Sequence, residues 1–182
     1  MIMGNQKKDS TGNTYAMIRV FSKQRAGLKV CHINAQSLVK KIDELRYLFE
    51  NSNVDVVCIS ETWFVKNMFD GLFSINGYKI LRVDREGHGG GVAIYVRNGI
   101  NIKIVAKSNY DSLVEYLFIE VINSDNKLLI GCVYRPNRNI DMSNIIYLLD
   151  SLTLNYPNIL IGGDFNCNLL VDTSLMDEIL PL

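Results

Sequence analysis

Four apolar runs in this 182-residue chain stop at side chains suited to handling a phosphate. Val30-Cys31-His32-Ile33 ends at Asn34, and Val54-Asp55-Val56-Val57-Cys58-Ile59 ends at Ser60-Glu61-Thr62-Trp63. Leu128-Leu129-Ile130-Gly131-Cys132-Val133 ends at Tyr134-Arg135-Pro136, and Ile159-Leu160-Ile161-Gly162-Gly163 ends at Asp164-Phe165-Asn166. Gathered at one rim, these ends would bring together an amide, two carboxylates, a phenol and a guanidinium. Such a set suits phosphodiester hydrolysis. A carboxylate can hold Mg²⁺, which prefers oxygen ligands and keeps several waters. The cation offsets charge building on the phosphoryl oxygens, while a second carboxylate orients or activates the attacking water. Amide, phenol and guanidinium groups donate to the non-bridging oxygens. Strands often end in polar residues and Gly-Gly-Asp is a common turn, so one such end identifies nothing. Four of these types together point to a site.

The elements that must position these residues are short and strand-rich. Runs dense in Val, Ile, Leu and Tyr occupy residues 28–33, 54–59, 78–83, 92–96, 100–105, 113–122, 128–134 and 158–161, separated by turn residues. Two stretches carry helical periodicity. Ser37 is placed to cap a helix over 38–50, where Leu38, Ile42, Leu45, Leu48 and Phe49 form one stripe. A second helix is predicted over 142–154, with Ile145, Ile146, Leu148, Leu149 and Leu152 apolar and Pro157 ending it. Strands outnumbering helices predict an α/β sandwich with helices packed outside, rather than a doubly wound parallel sheet. Gly89-Gly90-Gly91 leads into a strand, so no helix start is available for a phosphate cradle; a hairpin with close backbone packing is expected.

Composition sets the bounds. A hydrophobic fraction of 48% and a charged fraction of 21% are ordinary for one globular domain. No apolar run is long enough to span a bilayer, and the N-terminus lacks a secretory apolar core, so a soluble, intracellular protein is expected. Cys31, Cys58, Cys132 and Cys167 form no CxxC pair, which predicts reduced thiols rather than a zinc or redox site. Net charge is zero but uneven. Lys7, Lys8, Arg19, Lys23, Arg25 and Lys29 face Asp9 alone, leaving 13 basic and 18 acidic residues in the body, of 19 each. That body has no general attraction for a polyanion, so DNA contact must come from local basic groups or a bound cation. Residues 1–27 are polar and aperiodic and are expected to be a disordered basic leader; residues 28–182 form the domain.

In order, Asn34, Ser60-Glu61-Thr62-Trp63, Tyr134-Arg135-Pro136 and Gly162-Gly163-Asp164-Phe165-Asn166 resemble the motifs of the endonuclease/exonuclease/phosphatase superfamily. Ile33-Asn34-Ala35-Gln36-Ser37, Ser-Glu-Thr-Trp, Gly89-Gly90-Gly91-Val92-Ala93-Ile94-Tyr95-Val96 and Tyr-Arg-Pro resemble its LINE-type members, the endonuclease domains of non-long-terminal-repeat retrotransposons. The resemblance spans about residues 28–168. It implies a four-layered α/β/β/α sandwich. Glu61 would be the main ligand of Mg²⁺ (or Mn²⁺), with Asn34 beside it; Asp164 would position the attacking water; Asn166 and Tyr134 would contact the phosphate. The adjoining Arg135 is the candidate substrate-binding cation. Family members of this type nick target DNA to prime reverse transcription, implying DNA as partner, a reverse-transcriptase domain in the parent protein, and the nucleus as workplace.

The family pattern continues with a further Asp and a Ser-Asp-His motif. Only 16 residues follow Asn166 and none is histidine, so a domain incomplete at its C-terminus is expected, weak or inactive alone, with unpaired sheet edges that favour self-association. His32 shares a strand face with Asn34 but is expected to be packed, and His88 to lie in a loop. Trp63 is read as framing the cleft or packing half-buried, and Arg82, Arg85 and Arg97 as solvated hairpin residues. Asp43, Glu44 and Asp150 are assigned to solvated helix faces. Two other readings compete: hydrolysis of a smaller phosphoester, and a non-catalytic nucleic-acid-binding or interaction remnant.

Overall fold

The structure, a computed structural model, describes residues 26–87, 89–122 and 127–167. Strands β1 (Val30–Asn34), β2 (Val56–Ser60), β3 (Tyr78–Val83) and β4 (Val92–Arg97) form one sheet in the order β1-β2-β4-β3. Strands β5 (Ile102–Lys107), β6 (Glu115–Val121), β7 (Leu128–Tyr134) and β8 (Asn158–Asp164) form a second, in chain order. Helix α1 (Ile42–Glu50) joins β1 to β2 and helix α2 (Ser143–Thr153) joins β7 to β8. Both of these strand pairs are parallel, as strands linked by a helical crossover must be, and every other pairing is antiparallel.

Alternation along the strands builds three apolar layers. Val57 and Ile59 of β2 pack with Leu45, Leu48 and Phe49 of α1. Val56 and Cys58, pointing the other way, meet Leu117, Ile119, Ile130 and Cys132 between the sheets. Phe118, Leu129 and Val133 face Met142, Ile145, Leu149 and Leu152 of α2. The result is the expected α/β/β/α order. β2, covered on both faces, is buried at every residue, which is why it reads as an unbroken apolar run.

Several boundaries differ from expectation, each for a local reason. β1, β2 and β8 extend to Asn34, Ser60 and Asp164, so these polar residues are in the ladders rather than beyond them. β8 continues through Gly162 and Gly163 because the second glycine lies against the Val133 backbone, where a Cβ would collide with the carbonyl. The helix expected over 38–50 is a 3-10 turn, Leu38–Lys40, followed by α1. Ser37 does not cap it: it has φ 81° and makes no side-chain cap bond. Its N–H and that of Leu38 donate instead to the carbonyls of Glu61 (3.0 Å) and Thr62 (3.0 Å). Asp43, Glu44 and Asp150 are exposed, as expected. Cys58 and Cys132 are buried between the sheets, and no disulfide forms among the described residues. Residues 1–25 of the predicted leader, and His88, lie outside the described residues. No helix among the described residues is long and apolar enough to cross a membrane.

Candidate active site

Because each parallel pair runs in one direction, β1 and β2 leave their sheet at one end, and β7 and β8 leave theirs together. Period-two alternation then selects the side chains facing the gap between sheets: His32, Asn34 and Ser60 from the first, Glu115, Tyr134 and Asp164 from the second. Asn34 is in register with Ser60, while Tyr134 lies between Glu115 and Asp164. The Asn34 amide closes the gap. Its Nδ2 donates to Glu61 Oε1 at 2.8 Å and also to Asp164 Oδ2, across 130 positions of sequence. One amide thereby joins two carboxylates carried by different sheets.

The loop bearing Glu61 is held from both sides. Glu61 and Trp63 adopt left-handed backbone, φ 54° and 57°, as does Asn166 at 48°. For residues with a Cβ this costs roughly 1–2 kcal/mol each and persists only where surroundings over-determine it. Here the loop carbonyls accept from Ser37 and Leu38, while its N–H groups at Thr62 and Trp63 donate to Gly91 O (3.2 Å) and Gly90 O (2.9 Å). Gly91 has φ 84°, and a side chain there would run into Thr62 Oγ1. The glycine run therefore serves close packing ahead of β4, as the sequence suggested. Trp63, 40% exposed, sets its indole N–H 3.4 Å from Glu61 Oε2 and so frames the carboxylate. On the opposite side, the Asn166 N–H donates to Asp164 Oδ1 at 3.0 Å, and Asn166 Nδ2 donates to Arg135 O at 2.6 Å.

Burial dominates the electrostatics. The Tyr134 phenol is pushed up to about 12 by burial and then by the Glu61, Glu115 and Asp164 carboxylates, so it stays a neutral donor. His32, 3.0 Å from Ser60 Oγ through Nε2, is pulled down to about 4 by burial against the opposing pull of Asp164, and stays uncharged. Burial lifts the Glu115 carboxyl to about 7, against the Gly91 N–H and the Arg85 guanidinium.

Asn34, Glu61, Tyr134, Asp164 and Asn166 thus converge, and Arg135 does not join them. It is 6% exposed; its Nε donates to Ile140 O at 2.9 Å and its Nη2 to Arg138 O. These two bonds tie the guanidinium to the turn after β7 and bury it, in place of the exposed position expected of a substrate-binding cation. Arg82 and Arg97 are likewise engaged, with Asp70 and Asp55. Sequence reasoning missed Glu115. It was hidden inside a predicted strand, and the available signal was a charge with the same parity as inward-facing Leu117, Ile119 and Val121.

The donors fit a hard cation. Glu61 and Asp164 supply carboxylate oxygens within reach of one amide, and Glu61 Oε2 has only its long indole contact. No cluster of three or more His, Cys, Asp or Glu able to hold a metal occurs among the described residues. One or two carboxylates completed by water and phosphate oxygens is the Mg²⁺ pattern.

A model of the Endonuclease/Exonuclease/phosphatase family matches residues 29–174. No curated protein matches the chain. Among solved structures, the human Nocturnin catalytic domain with bound sulfate superposes with a TM-score of 0.62 at 13% identity, covering 82% of this chain and 67% of that one. TDP2 from D. rerio complexed with single-strand DNA product gives 0.57 at 15%, covering 83% and 64%. The endonuclease domain of TRAS1, a telomere-specific non-LTR retrotransposon, gives 0.54 at 9%, covering 78% and 60%. At these identities the likeness establishes the fold.

Proposed function

The chain belongs to the endonuclease/exonuclease/phosphatase family, and from that premise we propose a Mg²⁺-dependent phosphodiesterase site of the retrotransposon endonuclease type, acting on DNA. The observation that carries the reading is the Asn34 amide shared between Glu61 and Asp164. The retrotransposon assignment rests on the Ser-Glu-Thr-Trp and Tyr-Arg-Pro forms, and the DNA assignment is supported by neighbours solved with DNA product or drawn from a retrotransposon. The corresponding parent protein would pair the domain with a reverse transcriptase and work in the nucleus.

Glu61 and Asn34 would hold the cation, which when bound would supply charge neutralisation at the scissile phosphate. Asp164 accepts a hydrogen bond from the attacking water and orients it. Tyr134, a neutral phenol, donates to a non-bridging oxygen, and Asn166 has a second amide hydrogen for the same purpose. His32 is engaged by Ser60 and uncharged, so the described residues present no imidazolium, and turnover by this chain alone is expected to be weak. That same observation favours the second reading, a nucleic-acid-binding or interaction remnant of the domain. Self-association through the edge of β8, where Leu160 is 44% exposed, belongs with either reading.

Incubating the chain with supercoiled DNA and Mg²⁺ tests the proposal. Slow nicking, abolished by Glu61→Ala and by Asp164→Ala, is expected. Nicking that continues equally in both variants overturns it. Salt-sensitive DNA binding without nicking, unchanged in Glu61→Ala, would transfer the case to the second reading.

A further inference from the structure

We propose that Glu115 is a positioning residue for Glu61, acting through the Gly90-Gly91 backbone. The inference rests on the reading of Glu61 as a metal ligand and assigns work to a residue outside the four motifs.

Glu115 opens β6 on the face turned toward the other sheet and is 1% exposed. A carboxylate taken out of water is costly unless paired and hydrogen-bonded. Its compensation comes from two directions. The Gly91 N–H donates to Oε2 at 2.5 Å, and Arg85 Nε lies 3.4 Å from Oε1. Gly90 makes the approach feasible, since a Cβ there would sit 2.6 Å from Oε1.

The chain of bonds continues to the site. Gly91, held through its N–H by Glu115, accepts from Thr62 N through its carbonyl; Gly90 accepts from Trp63 N. Thr62 stands between the two left-handed residues, Glu61 and Trp63. Such backbone reverts when its pins are lost. Glu115 thus fixes the direction in which Glu61 leaves β2 without touching it. Removing one partner of a buried ion pair is destabilising whatever else the pair does, so a loss of stability alone does not identify the role as structural or positioning. The loop's dependence on an acceptor at this point is what separates the two roles.

Glu115→Leu removes the acceptor, and Glu115→Gln keeps one. Residue-level amide exchange in the metal-free full chain is the first readout. In Glu115→Leu, Thr62 and Trp63 are expected to exchange about tenfold faster, the loss of roughly one hydrogen bond's worth of protection, while Val57 and Ile94 are unchanged. In Glu115→Gln the same two amides stay within about threefold of wild type. The second readout is Mn²⁺ binding followed by electron paramagnetic resonance: about tenfold weaker in Glu115→Leu and largely restored in Glu115→Gln. Unchanged exchange at Thr62 and Trp63, or equal acceleration throughout the sheet, overturns the proposal. Should Glu115→Leu not fold, Glu115→Asp, which keeps the charge and withdraws the acceptor by one methylene, carries the same exchange test. A wild-type chain that binds no Mn²⁺ sinks the metal-site reading, and the exchange arm still decides the positioning role.

Discussion

Asn34 lets two carboxylates from different sheets share one rim, and its removal separates structural from chemical effects. Asn34→Ala leaves Glu61 and Asp164 facing each other without the shared donor and is expected to lower metal-free stability by about 1–2 kcal/mol, read from urea unfolding. Glu61→Gln relieves the repulsion instead and is expected to leave that stability equal or higher while removing metal affinity. Glu115 adds a pH signature. Burial raises its carboxyl to about 7, so between the ordinary value of 4.5 and 7 the folded chain keeps a proton that the unfolded chain has released. Its contribution is most favourable below 4.5, declines as pH rises toward 7, and is flat above. Comparing wild-type and Glu115→Gln unfolding midpoints from pH 4 to 8 checks this; a constant difference contradicts it. At this scale Asn34, Glu61, Tyr134 and Asp164 were legible because residue type and strand exit pointed the same way. Arg135 is more buried than its place beside the motif suggests, because carbonyls at 138 and 140, set by the turn, accept from its Nε and Nη2. Glu115 was not legible because it lies inside the apolar run 113–122 rather than at its exit.

The positioning elements are the two crossover units, β1-α1-β2 and β7-α2-β8, whose parallel pairs aim their exits at one rim. Gly163 is where the second is most sensitive. A Cβ there meets the Val133 carbonyl, so Gly163→Ala is expected to part β8 from β7 and cost about 2–4 kcal/mol, with Asp164 displaced and metal affinity falling alongside the melting temperature. A stable Gly163→Ala chain with wild-type metal affinity would show that the close approach is dispensable. Leu149→Ala, on the α2 face far from the rim, is expected to cost about 2–4 kcal/mol by cavity formation while leaving the affinity of the folded fraction unchanged. Strand positions were legible from apolar runs, and α2 from its stripe and Pro157. The start of α1 was not. Ser37 looks like a cap in isolation, but its N–H is claimed by Glu61 O, a partner 24 residues downstream that no local pattern encodes.

At the level of the whole molecule, four layers bring the two sheets' contributions face to face across an apolar interior containing Cys58 and Cys132. Layer order followed from counting strands against helices; which strands pair, and that both sheets expose polar residues at the same end, required coordinates. Among the described residues β8 ends its sheet, so the proposed self-association would show as concentration-dependent sedimentation at micromolar protein, reduced in Leu160→Lys; a monomer throughout would remove that expectation. The central claim is that Glu61 and Asn34 hold one divalent cation beside Asp164, and the chain carries its own reporter. Trp63 is the sole tryptophan and its indole borders Glu61. Titrating Mn²⁺ while following Trp63 fluorescence is predicted to give a saturable change at one ion per chain, lost in Glu61→Gln and weakened in Asn34→Ala. A response that is absent, or identical in wild type and Glu61→Gln, contradicts the account.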